Sequence, residues 1–461
     1  MLKNNFKKSI TAIIILISLS NASYFQTTTK AADLTSINAS LTVNSSSQSN
    51  SINSPTIIDA KTYGLDITGL SDTSAAFQKM IDSQPSGTVI KLPKGIYKFS
   101  SIVKLKDNLN LVASSDVIIK GIEKNTLFST GNVNSFEGIE FQNCSTALSV
   151  FQKSDIKIIN CRFTNNIGYS AINFYGSSDA LVINSYFYDI RKYGILIDND
   201  SSNITIDNNN FDNAKVFGGY SHEQISGHVY CLNGKSISVT NNILKNSGGQ
   251  GIIFGYNSTT GKGTTNSVAS NNQCIGNGQE GITIYGGSNK VSSANSIIEN
   301  TSKNNRFNQI EVWQSNNNIV KNNIVEESLS GIGNLGAICL FSTTGTTVTG
   351  NKVLSAQSNG IAIVAGTSNC TVSGNIIANT NKKNSINTPE KGNGILLDWN
   401  GVADPQYITI ENNKISSTSG IIAKSAVYST SNTNHHNKIS GNISNGYKYG
   451  VHWYANMTQG K

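Results

Sequence analysis

Short runs in which apolar and polar residues alternate recur along the chain, and an asparagine follows many of them. Four of the ten steps between these asparagines are 24 residues long, and the others range from 27 to 37. The recurring residues are Asn160, Asn184, Asn208, Asn241, Asn271, Asn295, Asn322, Asn351, Asn375, Asn412 and Asn442. A period in this range is typical of repeat proteins, in which every repeat is one structural unit.

One repeat is clearest at residues 194–211. It reads Gly-Ile-Leu-Ile-Asp at 194–198, then Ile-Thr-Ile-Asp-Asn at 204–208, and then Phe211. Alternate positions within each run are apolar, which predicts short strands. Three strands of about 3–5 residues and three turns fill a repeat of about 24 residues.

A single repeat cannot bury its own apolar face, whereas stacked repeats can. We therefore predict an all-β fold, a right-handed parallel β-helix of roughly a dozen rungs. The asparagines are predicted to be structural and to form an amide ladder inside a tight turn, where Asn tolerates left-handed backbone. A leucine-rich repeat has a similar period, but each unit here has two β runs and none has a helical pattern.

Residues 1–32 are predicted to be a secretory signal peptide. Three lysines precede an apolar run at residues 10–19, and cleavage is expected after Ala22 or near Ala31. The apolar run is too short to span a bilayer. The pattern therefore predicts a secreted, extracellular protein with no membrane partner.

The remainder of the chain divides into a linker and one domain. Residues 33–57 are rich in Ser, Thr and Asn without periodicity, which predicts a disordered linker. Residues 58–461 then form a single β-helix domain. The net charge is +8, and residues 1–32 contribute four lysines and no acid to it. Such a mild charge does not indicate nucleic-acid binding, although it leaves a weak preference for acidic glycans.

The six cysteines lack the spacing of a zinc site. Cys231 and Cys274 are predicted to be small buried apolar residues. Cys144 and Cys161 each follow the turn asparagine of successive rungs. Because rungs lie ~4.8 Å apart, which is within the Cα range of a disulfide, a Cys144–Cys161 bridge is a hypothesis.

The two ends of a β-helix expose unpaired strand edges. At the N-terminal end, Asp72 is predicted to cap a helix over residues 73–82, whose apolar stripe is formed by Ala76, Phe77, Met80 and Ile81. At the C-terminal end no such helix is predicted. Either a loop covers that end, or the protein self-associates through it.

Residues 59–82 resemble the entry segment of the pectate-lyase-like β-helix superfamily. The shared pattern is an Asp, then Tyr-Gly, then Asp-Thr-x-Ala-x-x-Gln, which matches Asp59, residues 63–64 and residues 72–78. The usual Gly-Asp-Gly is replaced at residues 65–69 by Leu-Asp-Ile-Thr-Gly. The superfamily contains pectate lyases, polygalacturonases, mannuronan epimerases and phage tailspike enzymes. The resemblance therefore implies polysaccharide chemistry without selecting a reaction.

In polygalacturonases, which this chain resembles, the catalytic acids lie on or just before the Gly-Ile-x-Ile strand. Glu280 is the only acid in the outward row at that position, and Glu311 lies one rung later. Their backbones are expected to be about 10–11 Å apart, from ~3.3 Å per residue and ~4.8 Å per rung. This separation suits inverting hydrolysis better than retaining hydrolysis, with Glu280 as acid and Glu311 as base. Alternatively, Glu280 forms a surface ion pair with Arg306, and Glu311 faces solvent.

Other outward residues are predicted to bind substrate because their aromatic faces or polar groups suit sugar rings. They are Tyr230, Tyr285, Trp313, Asp198, Asp398 and Trp399. Enlarged turns are predicted to wall this groove, because long loops on a rigid scaffold concentrate function. These turns lie near residues 213–226, 256–266, 379–392 and 399–406.

A lyase or epimerase would need a cation to neutralise a uronate and a base to take the adjacent proton. Arg306, Lys192 or Arg191 is the candidate cation, and His228, Tyr230 or Tyr285 is the candidate base. The Asp-Asp, Gly-His-Gly and Arg-x-Lys motifs of polygalacturonases are absent, which disfavours that activity. No cofactor or metal is predicted; calcium at residues 198–200 is the weaker alternative, because polar residues at a strand end usually form a turn.

The sequence therefore predicts a secreted enzyme that cleaves a polysaccharide bound along the β-helix. A glycoside hydrolase with the candidate catalytic residues Glu280, Glu311, His228 and Arg306 is the first interpretation. A polysaccharide lyase or epimerase acting on a uronic-acid glycan is the second, and a non-catalytic adhesin or glycan-binding β-helix is the third.

Overall fold

The computed structural model describes residues 57–165, 167–213, 226–330, 332–381, 391–418, 424–431 and 435–453. The predicted signal peptide and nearly all of the predicted linker lie outside these residues. The same holds for most of the enlarged turns near 213–226 and 379–392.

The chain coils into a parallel β-helix, as predicted. One side of the coil is a parallel sheet of 14 strands, one from each rung, which we call the front sheet. The coil therefore has 14 rungs, slightly more than the dozen expected. The front strands are Val103–Lys104, Thr126–Ser129, Thr146–Phe151, Ser170–Tyr175, Tyr193–Asp198, Gly227–Cys231, Gln250–Phe254, Ile282–Tyr285, Ile310–Trp313, Gly336–Phe341, Asn359–Val364, Ile395–Asp398, Ser425–Ser429 and Tyr449–Trp453.

The other sides of the coil form a continuous sheet of 29 strands, which we call the back sheet. This sheet bends at the turn that contains the recurring asparagines, which we call the asparagine corner. Before the corner lie Ile57–Asp59, Val89–Leu92, Asn110–Lys120, Ser135–Gln142, Ser154–Ile159, Ser178–Ile183, Ser201–Asp207, Gly234–Lys235, Ser238–Thr240, Val268–Ser270, Ser296–Ile298, Ile319–Lys321, Thr347–Thr349, Thr371–Ser373, Thr409–Glu411 and Lys438–Ser440. Asn110–Lys120 and Ser135–Gln142 continue through the corner. After it lie Thr68–Asp72, Gly95–Lys98, Arg162–Thr164, Tyr186–Tyr188, Asn210–Asp212, Ile243–Lys245, Gln273–Ile275, Thr301–Lys303, Ile324–Glu326, Lys352–Ser355, Ile376–Ala378, Lys414–Ser416 and Ile443–Asn445.

The core consists of stacks of like residues from successive rungs. In the front sheet, Ile282 pairs with Ile310, and Ile310 pairs with Ile338. In the back sheet the rings of Phe187 and Phe211 stack with centroids 4.2 Å apart. All five side chains are buried. The stacked β-branched and aromatic side chains of neighbouring rungs thus bury the apolar surface that a single rung would expose.

At the asparagine corner, one residue adopts left-handed backbone and the next residue forms the amide ladder. The sequence analysis had assigned both roles to a single asparagine. The first residue, such as Asn322 with φ of 56°, adopts left-handed backbone. The second is buried, and its amide donates to the next rung. Nine residues form this ladder: Asn209, Asn242, Asn272, Asn300, Asn323, Asn351, Asn375, Asn413 and Asn442. The predicted row therefore mixed the two positions, and its Asn295 belongs to a different corner, where it bonds with Asn318.

A helix covers the N-terminal end, as predicted, over Ser74–Ser83. Its N-cap is Thr73 rather than Asp72, so the helix begins one residue later than expected. Asp72 still accepts a hydrogen bond from the Ser74 amide at 3.0 Å. Phe77 packs under the first rungs, 5.1 Å from the ring of Phe99. A short 3₁₀ helix, Ala60–Tyr63, precedes it. Within the described ranges, no helix is long and apolar enough to cross a membrane.

The predicted Cys144–Cys161 disulfide is absent, and both thiols are free and buried. The two residues occupy different corners of the coil. The Cys144 carbonyl accepts from Gly168, whereas the Cys161 amide donates to the Ser185 side chain. The sequence had equated two turns that do not stack. Cys231 and Cys274 are buried, as predicted.

The two neighbouring asparagines Asn322 and Asn323 offer a matched test of the ladder. Asn323→Gly removes amide bonds to Ile297 and Asn351 and leaves the Asn300 amide without its acceptor. We expect it to lower the free energy of unfolding by roughly 2–4 kcal/mol. Asn322→Gly keeps a residue suited to left-handed backbone and should change it by less than about 1 kcal/mol. Urea unfolding measures both, and equal losses would contradict the division of roles.

The thiol count gives a second test. We expect alkylation of the unreduced, denatured protein to label all six cysteines, because all six are free. Intact mass spectrometry reads the number of labels. If only four cysteines are labelled, the protein contains one disulfide, which would contradict this prediction.

Candidate active site

A cavity of about 110 Å³ lies on the outer surface of the front sheet. Its lining combines two acids, polar amides and a hydroxyl with four aromatic rings and one aliphatic side chain. The lining residues are Tyr230, Gln250, Ile253, Gln279, Glu280, Thr283, Tyr285, Phe307, Glu311 and Trp313. Five of them were predicted from the sequence as catalytic or substrate-binding residues, and the structure brings these five together.

Strand alternation places Glu311 in the cavity. Ile310 and Val312 point into the core, so Glu311 and Trp313 face outward. Glu311 pairs in register with Thr283 on the preceding rung. Although it faces outward, Glu311 is only 6% exposed. Asn308 donates to its Oε1 at 2.6 Å.

Glu280 lies just before the strand Ile282–Tyr285, on the rung before Glu311. It is 8% exposed, and Gln250 donates to its Oε2 at 3.2 Å. The same Gln250 amide donates to Gln279 at 2.6 Å. Glu280 is therefore buried, whereas the alternative of a surface ion pair with Arg306 requires it to be exposed.

Both carboxyl groups hold protons more tightly than usual. Burial raises the pKa of Glu280 to about 7. Burial, and next the negative charge of Glu280, raises the pKa of Glu311 well above its ordinary value. Removing water from two adjacent acids disfavours the state in which both are ionised. Burial and mutual repulsion therefore favour a state in which the pair keeps a proton at a pH where ordinary carboxyl groups are ionised.

The tyrosines of the cavity remain protonated at neutral pH. Burial, with the nearby Tyr285 and Glu280, raises the pKa of Tyr230 to about 12. Burial, with Tyr256 and Glu311, also raises the pKa of Tyr285. A general base must be deprotonated to accept a proton, so these shifts count against either phenol as the base of a lyase.

Aromatic rings form a wall along successive rungs. The ring centroids of Tyr285 and Trp313 are 5.6 Å apart, and those of Trp313 and Phe341 are 5.0 Å apart. Tyr256 meets Tyr285 edge to face at 6.0 Å. This wall belongs to the same outward surface as the carboxyl groups and presents apolar ring surface beside them.

The enlarged turn near 256–266 folds into an antiparallel hairpin of Tyr256–Asn257 and Lys262–Gly263. Asn257 donates to Asp198 at 2.9 Å, and Lys262 pairs with Asp200 at 2.6 Å. Asp198 thus holds a turn of the groove in place and does not line the cavity. No group of three or more His, Cys, Asp or Glu suited to a metal occurs within the described parts of the chain.

His228 and Arg306 do not join the cavity. His228 replaces the glycine of Gly-Ile-x-Ile and turns inward, where it packs against Phe211 and its Nε2 contacts the Lys245 carbonyl at 2.6 Å. It is 1% exposed, so burial in the core removes it from the groove. The Arg306 guanidinium lies over the Phe307 ring, on the edge of the cavity rather than in its lining.

Asp398 and Trp399 also lie apart from the cavity. Asp398 stands three rungs beyond Trp313 in the same outward row, which corresponds to ~14 Å along the coil. Thr430 donates to its carboxylate at 2.7 Å. Trp399 follows it and is half exposed. These two residues can contact only a ligand that extends well beyond the cavity.

The sequence analysis missed Gln250, Gln279, Thr283, Ile253 and Phe307. Thr283 occupies the variable position of Gly-Ile-x-Ile on the rung before Glu311, so its outward register was readable from the repeat. Phe307 and Gln279 lie in turns, whose side-chain directions the repeat does not specify.

The described geometry agrees with the similarities of the chain to known proteins. Residues 103–265 and 261–444 match the right handed beta helix region family. The chain belongs to this family. Residues 57–116 also match the family of rhamnogalacturonase A/epimerase, pectate lyase-like proteins, which confirms the resemblance of the entry segment. No curated protein sequence is similar enough to count as a relative.

Solved structures share the fold at low identity. The A-module of mannuronan C-5 epimerase AlgE4 from Azotobacter vinelandii is 14% identical, with a TM-score of 0.52 over 86% of this chain and 98% of that one. The Streptococcus pneumoniae surface protein and adhesin PfbA is 18% identical, with a TM-score of 0.55 over 77% and 100%. The catalytic domain of a GH87 alpha-1,3-glucanase is 13% identical, with a TM-score of 0.54 over 86% and 70%. At these identities the likeness establishes the fold alone.

The raised carboxyl pKa values predict how stability depends on pH. The folded protein binds the Glu280 proton more tightly than the unfolded chain, where the pKa is near 4.5. Stability is therefore greatest below that pH and falls as the pH rises toward about 7, and Glu311 extends the loss further. Between about pH 5 and 8, the free energy of unfolding should fall by roughly 1–3 kcal/mol more in the wild type than in a Glu280→Gln/Glu311→Gln variant. Parallel pH profiles in urea unfolding would contradict the shifts.

Proposed function

We propose that the protein is a glycoside hydrolase that uses Glu311 and Glu280 as its acid and base. The observation that carries this proposal is a buried pair of carboxyl groups in one aromatic-lined cavity, where burial raises the pKa of both. Two carboxyl groups whose environments separate their ionisation are what acid–base hydrolysis requires.

We assign the two roles in the reverse of the order that the sequence suggested, because the charge of Glu280 adds to burial in raising the pKa of Glu311. Glu311, whose pKa burial and the charge of Glu280 raise, is the proposed acid that protonates the leaving oxygen of a glycosidic bond. Glu280 is the proposed base that takes a proton from water attacking the anomeric carbon. With backbones expected to be about 10–11 Å apart, the two side chains can leave room for that water, as inverting hydrolysis requires.

Lyase or epimerase chemistry has less support. Among the described side chains that line the cavity, none is basic, so none neutralises a uronate carboxylate. The two tyrosines retain their protons, and His228 lies in the core. The cluster of four residues that we expected thus separates: the two carboxyl groups line one cavity, whereas His228 and Arg306 do not join them.

The solved structures with this fold include a glucanase, an epimerase and an adhesin, which supports a role toward polysaccharides without choosing among the three. A binding protein has no need for two protonatable acids buried in one cavity, because their desolvation carries a free-energy cost. We further propose that the protein is secreted and that its cavity belongs to a longer polysaccharide groove.

Substitution of either acid tests the hydrolase. We expect Glu280→Gln and Glu311→Gln each to lower kcat at least about a hundredfold on a polysaccharide that the wild type cleaves. Glu326→Gln, which alters a carboxylate paired with Lys303 on the back sheet, is the matched control and should leave the rate unchanged. New reducing ends are followed over a panel of neutral and uronic polysaccharides, together with ultraviolet absorbance. Products absorbing as unsaturated uronates would show a lyase instead.

A good leaving group separates the two roles. In a dinitrophenyl glycoside of the cleaved sugar, the dinitrophenolate group leaves without being protonated. Glu311→Gln should therefore retain most of the wild-type rate on this substrate. Glu280→Gln should remain slow and recover when azide replaces the activated water. The opposite pattern would return the acid role to Glu280.

A further inference from the structure

Three buried polar atoms that line the cavity have no hydrogen-bond partner among the described residues. They are Trp313 Nε1, Thr283 Oγ1 and Gln250 Oε1. Native structures leave few buried polar atoms unpaired, and an unpaired group carries a cost in free energy. Because all three residues line one small cavity, these atoms indicate a ligand that completes their hydrogen bonds.

The chemistry of the three atoms restricts that ligand. The indole Nε1–H only donates, the amide Oε1 only accepts, and the Thr283 hydroxyl does both. A carboxylate, which only accepts, could serve Trp313 but not Gln250. A sugar hydroxyl donates and accepts, so neighbouring hydroxyl groups can satisfy all three.

The charges of the cavity point the same way. Glu280 and Glu311 are the two carboxyl side chains of the lining, and no described lining residue is basic. A uronate would place a further negative charge beside an ionised Glu280 in a site from which water is largely excluded. Like charges repel most strongly where the local dielectric constant is low.

Thr283 stands where a sugar bound for cleavage would lie. It pairs with Glu311 across adjacent rungs, is 3% exposed, and lies one rung from Ile253 on its other side. Its hydroxyl is thus close to the carboxyl group that we assign as the acid. Trp313 follows Glu311 by two residues on the same outward face.

From these observations we infer that the cavity binds an uncharged sugar unit through its hydroxyl groups, with Thr283 and Trp313 as specificity-determining residues. The placement of that sugar at the bond being cleaved rests on the proposed function. The substrate class is then a glycan whose unit in the cavity is neutral, whatever its other units carry.

The test measures binding separately from turnover. Isothermal titration calorimetry on Glu311→Gln, which removes one catalytic carboxyl group but keeps the charge of Glu280, uses neutral hexasaccharides (cello-, malto-, xylo-, manno- and α-1,3-gluco-) and uronic ones (galacturonate and mannuronate). We expect a neutral hexasaccharide to bind and the uronic ones not to. Binding of uronic hexasaccharides alone, or of none, would overturn the inference.

Adding Thr283→Val should then weaken binding of the neutral sugar by about tenfold or more, which corresponds to the loss of one hydrogen bond. Because Val has the same shape and removes an unpaired polar atom, the melting temperature should stay the same or rise. Thr371→Val, an outward threonine of the back sheet, is the matched control. Trp313→Phe keeps a ring, removes the donor and should also weaken binding.

The outcomes distinguish this inference from the proposed function. Neutral-sugar binding that depends on Thr283, without hydrolysis by the wild type, would reject the hydrolase and retain the inferred ligand class. Hydrolysis of a neutral glycan with unchanged affinity in Thr283→Val would retain the hydrolase and show that water, not substrate, satisfies these atoms.

Discussion

Each rung of this β-helix must place its corner directly above the corner of the rung before it. The buried asparagine ladder enforces this register, because the backbone amide and the side-chain amide of one asparagine both bond to Oδ1 of the next, as Asn323 does with Asn351. With the corners fixed, Ile stacks on Ile inside the coil and outward residues form straight rows. The cavity depends on this constraint, since Thr283 and Glu311 meet only because their rungs are in register.

The repeat in the sequence was sufficient to predict the fold and much of the cavity. Alternation within Gly-Ile-x-Ile specified which side chains point outward, and the period specified which outward side chains are neighbours. Glu311, Tyr230 and Trp313 follow from those two rules alone. Glu280 was found because it is an acid in a row otherwise made of neutral residues.

The errors arose where a residue departs from the repeat. His228 replaces a glycine, and its ring lies inside the coil beside Phe211. The sequence analysis had placed His228 on the outer surface. The proposed disulfide equated two corners because both begin with Asn, although Cys144 and Cys161 stack on different partners. The raised pKa values of Glu280 and Glu311 depend on burial and, for Glu311, on the charge of Glu280, neither of which a sequence specifies.

The central claim is that the two buried acids Glu280 and Glu311 share a proton at neutral pH. Infrared spectroscopy measures this directly, because a protonated carboxylic acid has a carbonyl stretch distinct from the bands of a carboxylate. At pH 7 the wild type minus Glu311→Gln difference spectrum should contain a protonated-carboxyl band that disappears as the pH is raised. A difference spectrum with only carboxylate bands would show that Glu311 is ionised and would contradict the account.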